Sequence, residues 1–149
     1  MGSEDLLELH ELTKRFDVVT AVESLSFAVK RGEVLGFLGP NGAGKSTTMK
    51  MITGYLQPSA GTAILEGFDV RKNPLEVKRR VGYLPEGAPL YGEMTPSSLF
   101  RFVADCRGLS ARARSERTSY VVERLELQNV YGRPIETLSK GFKRRVGLA

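Results

Sequence analysis

The chain of 149 residues has no tryptophan, a single cysteine and a single histidine. No apolar run approaches the roughly 20 residues that cross a bilayer, which argues against a transmembrane helix. Cys106 has no second cysteine to pair with, so an internal disulfide is excluded, and the thiol fits a reducing compartment. The N-terminus, Met1-Gly2-Ser3-Glu4-Asp5, is acidic and does not resemble a secretory signal. No internal period points to collagen or to a solenoid. The lone His10 falls in an alternating apolar and polar segment and reads as structural or solvent-facing. These absences leave an expectation of one soluble intracellular domain.

The residues present agree with that expectation. The apolar fraction is 41% and the charged fraction 26%, too apolar for a disordered chain. The net charge of +5 is unevenly spread. Residues 1–70 hold 6 basic and 9 acidic side chains, whereas residues 71–149 hold 16 and 8. Lys78-Arg79-Arg80 and Lys143-Arg144-Arg145 contribute six of the basic residues in the second part. Such runs serve either as solvated or salt-bridging faces or as nucleic-acid or membrane contacts, and composition does not choose between them.

Period-2 alternation through Leu7, Leu9 and Leu12, and again through Leu25, Phe27 and Val29, predicts two strands. Val34–Leu38 is continuously apolar and predicts a strand buried on both faces. A glycine-rich loop, Gly39 to Gly44, leads into a predicted helix, Lys45 to Thr53, stopped by Gly54. Thr62 to Leu65 and Val81 to Leu84 read as further strands, and Asn73-Pro74 opens a short helix through Arg80. Thr95-Pro96 opens a helix with Leu99, Phe102, Val103 and Cys106 expected on its apolar face. Ser110 caps the next helix, with Val121, Val122 and Leu125 facing inward. A last helix starts near Ser139 or Gly141. Its final residues, Arg145–Ala149, read as helix interior without a stop signal, so continuation past Ala149 is expected.

Gly39-Pro40-Asn41-Gly42-Ala43-Gly44-Lys45-Ser46 fits G-x-x-x-x-G-K-[ST] between a predicted strand and a predicted helix. Glycines let successive N–H groups turn inward as an anion nest, and the helix aims the positive end of its dipole at the same place. Lys45 is expected to reach the β- and γ-phosphates of a nucleoside triphosphate. Ser46 would ligate Mg²⁺, and Thr47 would add a phosphate hydrogen bond.

Three further segments resemble the nucleotide-binding domain of the ATP-binding cassette (ABC) family. The first is Leu12-Thr13-Lys14-Arg15-Phe16 with Ala21-Val22 and Leu25-Ser26-Phe27. The resemblance implies that Phe16, in place of the family's usual tyrosine, stacks on adenine, with Val22 flanking the ring. A phenylalanine covering the strand edge is the other reading. The second is Val81-Gly82-Tyr83-Leu84-Pro85-Glu86, similar to the family's Q-loop, with Glu86 where glutamine is usual. A carboxylate there is able to ligate Mg²⁺ but lacks the amide donor. The third is Leu138-Ser139-Lys140-Gly141-Phe142-Lys143-Arg144-Arg145-Val146, which resembles the family signature. Ser139 and Gly141 match it, while Lys140 and Phe142 replace a glycine and a glutamine. In that family this helix N-terminus meets the γ-phosphate held by the opposite subunit.

Ninety residues separate Thr47 from Leu138, a compact spacing similar to transporter motors rather than to relatives with large insertions in that interval. Leu90-Tyr91-Gly92-Glu93-Met94-Thr95 would lie where a membrane subunit docks, its apolar residues either forming that surface or sealing the helical part. The resemblance implies an α/β fold: a P-loop NTPase core of ABC type with an antiparallel β subdomain and a helical subdomain, incomplete at the C-terminus. Residues 1–84 would hold the β-rich edge and P-loop core, and residues 85–149 the Q-loop candidate and helical signature subdomain. It further implies ATP and Mg²⁺ as cofactors, a transmembrane permease partner, a homodimer of nucleotide-binding domains and a place on the cytoplasmic face of the membrane. Nucleic acid is not among the expected partners. A soluble ABC-type ATPase acting on nucleic acid and a non-catalytic nucleotide-binding module remain the alternative readings. The family's general base, in an Asp-Glu pair after an apolar strand, has no counterpart up to Ala149. No catalytic residue is therefore assigned in this chain, and it is expected to bind nucleotide without appreciable turnover.

Overall fold

The structure is a computed structural model that describes residues 5–85, 87 and 90–149. Met1–Tyr83 and Leu84–Ala149 form two compact units.

The first unit is built on a four-stranded antiparallel sheet in the order β2-β1-β3-β4. Its strands are β1 (Asp5–Phe16), β2 (Val19–Lys30), β3 (Ala60–Leu65) and β4 (Phe68–Asp69). Two helices, α1 (Lys45–Ile52) and α2 (Pro74–Arg80), belong to the same unit. Leu9, Leu12, Val22, Met51, Ile52, Ala63, Leu65, Val70 and Val77 form its core.

The burial of both Leu9 and Leu12 breaks the period of two, because they lie three positions apart. A β-bulge resolves the conflict. Leu9 pairs with Phe27 and Leu12 with Leu25, so β1 carries one residue more than β2 across this interval. Glu11 takes the left-handed conformation, φ +49°, and its N–H donates to Ser26 Oγ at 2.8 Å. The same extra residue appears against β3, between the His10–Thr62 and Thr13–Ala60 pairs. There Gly61, φ +68°, sits so close to the Glu11 carbonyl that a Cβ would overlap it. A second irregularity lies on β2 at Ser24, φ +46°, whose N–H donates to Thr13 Oγ1 at 2.9 Å.

Two expected strands do not form. Residues 34–38 and 81–84 have no ladder partner among the described residues. An extended apolar run becomes a strand only when a neighbour takes up its N–H and C=O groups. Without one, Val34 is 95% and Leu38 93% exposed, while Phe37 is half-buried, its ring centroid 6.0 Å from that of Phe27.

The second unit contains α3 (Pro96–Cys106), α4 (Ala111–Arg124) and α5 (Lys140–Leu148). Two 3-10 turns, Gln128–Val130 and Ile135–Thr137, lie between α4 and α5. Thr95 and Ser98 form a reciprocal capping box at the start of α3. Ser110 Oγ accepts the Ala113 N–H at 3.2 Å and caps α4. Leu99, Phe100, Leu127, Val130, Ile135, Leu138 and Val146 make the core, with Val121, Val122 and Leu125 packed against it.

The expected face of α3 needs correction. Leu99 is buried, but Phe102, Val103 and Cys106 are exposed, and the buried stripe is Pro96, Leu99, Phe100 and Ala104. Both stripes fit helical spacing and share Leu99. Phe100 meets Tyr131 at 6.2 Å between ring centroids, and Phe102 instead meets Tyr91 edge-on at the surface.

The bare apolar run of residues 34–38 is expected to promote self-association, since an unpaired extended edge invites another chain. Light scattering on the purified chain should show a mass above monomer that grows with concentration. Val34→Lys combined with Leu38→Lys should return it toward monomer; a parent chain that stays monomeric contradicts this reading.

Candidate functional site

The glycine loop ends on α1, which is held by the buried side chains Thr48, Met51 and Ile52. The N-cap of α1 is Gly44, φ +81°, which has no side chain to offer, and the first turn carries no acidic residue. The opening N–H groups of the helix therefore have no side-chain cap, which leaves them available to an anion. Lys45 turns back over the loop and its Nζ donates to the carbonyls of Gly39, at 2.7 Å, and Pro40, at 2.6 Å. Asn41, Gly42, Ala43 and Ser46 are exposed, and Thr47 is half-buried.

The loop is positioned by β2. A Cβ on Gly44 would overlap the Ala21 carbonyl oxygen and come within 2.9 Å of Val22 Cγ2. Val22 is itself buried at 8% exposure, so it meets the loop from the core side. Across the hairpin Val22 pairs with Lys14, and Phe16 ends β1 opposite Val19. The Phe16 ring is 46% exposed, with Lys14 Nζ 5.1 Å from its centroid.

In the second unit, Ser139 Oγ accepts the Phe142 N–H at 3.3 Å and caps α5. Gly141 is exposed, and a Cβ there would meet only Ser139 Oγ, at 3.9 Å. The fold of this chain thus leaves room at Gly141 for a side chain. Arg145 fastens the helix, donating to Glu126 Oε2 at 2.9 Å and to the Leu125 carbonyl at 3.4 Å.

A family model for "ABC transporter" matches residues 22–149. The chain belongs to the ABC transporter family. It is 40% identical over 146 residues to the probable multidrug ABC transporter ATP-binding protein YbhF of Escherichia coli K12, covering 98% of this chain and 25% of that protein. A solved ATP-binding subunit of an ABC transporter is 32% identical, with a TM-score of 0.85 over 96% of this chain and 60% of that one. CbiO1 from Clostridium perfringens, part of the ABC transporter complex cbiONQ, is 25% identical with a TM-score of 0.83, over 98% of this chain and 60% of that one. The chain therefore spans less than two thirds of each. The fold is that of ABC ATPases, mixed α/β with an antiparallel sheet.

Within this ABC-family chain, Val22 and the P-loop residue Gly44 come together in the first unit, with Phe16 on the same hairpin. Ser139 and Gly141 belong to the second unit. The Q-loop candidate Glu86 lies outside the described residues. Leu90 and Met94 pack on the helical core, whereas Tyr91 is 62% exposed. His10 lies on the exposed side of β1, 3.4 Å from Glu8. Among the described residues no helix is long and apolar enough to cross a membrane.

The basic run of α2 is largely absorbed by structure. Arg79 and Arg80 both bond Glu76, and Arg80 also lies 3.9 Å over the Phe68 ring. The hydrogen bond from Arg80 and the charge of Arg79 hold the Glu76 carboxyl below its ordinary pKa. Lys78 lies 5.2 Å over the Tyr55 ring. Asp69, at the end of β4, is penalised by partial burial, yet the Arg71 and Lys72 N–H groups and the Thr62 hydroxyl outweigh that and lower its pKa.

The sequence reading overlooked Lys14 and the Ala21 carbonyl. Lys14 stands two residues before Phe16 on one strand, a spacing that places both on one face. Nothing in the sequence marks the Ala21 carbonyl, because any residue supplies one.

Gly44→Ala combines a left-handed backbone with overlap on β2, and should cost about 2–3 kcal/mol in urea unfolding. Gly42→Ala, with open space around it, should cost only about 1 kcal/mol. Equal losses would show that β2 does not brace the loop.

Proposed function

We propose that this chain is the nucleotide-gripping part of an ABC transporter ATP-binding subunit, and that it binds Mg-ATP through residues 39–47. The observation that carries the reading is the uncapped N-terminus of α1, facing a glycine loop that Lys45 already closes with two hydrogen bonds. Backbone N–H groups of Gly42, Ala43 and Gly44 bind phosphate oxygens. Lys45 exchanges its two carbonyl acceptors for the β- and γ-phosphates, a charge-assisted replacement that favours the bound state. Ser46 supplies a hydroxyl to Mg²⁺, with Glu86 as a second candidate ligand and Thr47 as a phosphate donor. Bound Mg²⁺ neutralises phosphate charge. Phe16 presents its exposed ring to the base, and Val22 supports the loop beneath it.

In the intact protein, Ser139 and Gly141 of one copy complete the site of another. The capped N-terminus of α5 then meets the γ-phosphate, and the space at Gly141 allows close approach of that ligand. Closure of two such sites on ATP and opening after hydrolysis would drive a permease subunit from the cytoplasmic side of the membrane. The cbiO1 relative, part of a transporter complex, and the exposed Tyr91 support such a partner. The absorption of Arg79, Arg80 and Arg145 into ion pairs removes much of the case for a nucleic-acid surface.

The 149-residue chain supplies no Asp-Glu pair after an apolar run, so binding is expected without appreciable turnover. Equilibrium dialysis should show Mg-ATP retention that falls at least about tenfold in Lys45→Ala, the size expected from losing charged phosphate contacts. Equal retention by the two proteins would refute the phosphate-loop reading. Steady phosphate release above the Lys45→Ala level would refute the absence of turnover.

A further inference from the structure

Phe16 ends a strand with nearly half its surface exposed, and an exposed aromatic side chain is not held in one rotamer unless something seats it. Lys14 does so here. Its ammonium is anchored by donating to the Gln57 carbonyl, Nζ to O 2.9 Å, and from that anchored position it lies 5.1 Å from the Phe16 centroid. Gln57 lies 43 residues along the chain, so the cation is held by the tertiary fold. Lys14 also pairs across the hairpin with Val22, the residue packed against Gly44. Lys14 thus meets the ring through its ammonium and, through its backbone register, stands opposite the residue that braces the glycine loop.

We propose that Lys14 is a positioning residue for purine recognition: its ammonium covers one face of Phe16 and leaves the other ready to stack on the base of the bound nucleotide. The inference rests on the reading of Phe16 as the base platform. A cation over one π-face is attracted by the ring quadrupole and draws electron density toward itself. The opposite face becomes a better stacking partner for an electron-rich purine. Seating the ring beforehand also removes part of the ordering cost of binding.

The test compares two probes on the 149-residue chain, Mg-ATP and inorganic triphosphate with Mg²⁺, the second lacking a base. Lys14→Met keeps the apolar stem and removes the charge. It should weaken Mg-ATP about three- to tenfold and leave triphosphate within about twofold, the range expected for a partly desolvated cation–π contact. Lys14→Arg should recover most of the loss, since a guanidinium covers a ring as well. Thermal unfolding of each variant separates a misfolded protein from a binding defect. Equal loss of both probes in Lys14→Met would make the residue merely structural and overturn the proposal. Selective loss of Mg-ATP in Phe16→Ala with none in Lys14→Met would overturn it too, leaving the base platform intact. Unchanged Mg-ATP binding in Phe16→Ala would remove the platform and the proposal with it.

Discussion

Gly44 touches β2 where no side chain has room, and much of the first unit is arranged around that contact. The loop that precedes α1 has few bonds of its own: Ala43 N–H to the Pro40 carbonyl at 3.3 Å, and the two that Lys45 supplies. Its shape depends on a firm helix behind it and a firm strand beside it. The helix is fixed by Thr48, Met51 and Ile52 in the core. The strand is fixed by the β1–β2 hairpin, in which the departures from regular pairing near Ser24 and Ala21 bring the Ala21 carbonyl and Val22 against the loop. A bulge bends a strand and re-aims its side chains, and here the bends fall beside the glycine loop.

Charge is distributed by the same economy of contacts. Nine acidic against six basic residues in the first 70, and the reverse bias afterwards, suggest two electrically distinct parts. Much of that excess is spent locally. Arg80 bridges Glu66 and Glu76, Arg114 reaches Asp105, and Arg145 joins α5 to the end of α4. The glycine loop accordingly carries one ammonium, that of Lys45, without acidic residues in the first turn of α1 to oppose an anion.

Local features were legible because contiguous residues carry them. The start of α1 at Lys45, the span Pro74–Arg80, the helix start at Thr95-Pro96 and the Ser139 cap all follow from short-range hydrogen bonding and fixed torsions. The glycine-loop motif was legible for the same reason. Asn73 makes no side-chain cap hydrogen bond; the proline at the next position starts α2 without one. The apolar stripe of α3 was misplaced because two stripes share Leu99 and periodicity rates them alike.

Composition and local pattern were enough to specify a glycine loop running into a helix, followed by a helical unit. They also marked Lys45, Ser46, Phe16 and Ser139 as candidates, since each has its motif neighbours within a few positions. Pairing was settled elsewhere. Whether Val34–Leu38 becomes a strand depends on a neighbour along its edge, and no apolar run states that it has one. The bulge at Glu11 needs Ser26 and Gly61, the anchor of Lys14 needs Gln57, and the brace of Gly44 needs Ala21. Those partners lie 15 to 50 residues away and act through carbonyl oxygens, hydroxyls and the room left by a missing Cβ. Such contacts exist only once the chain has closed on itself.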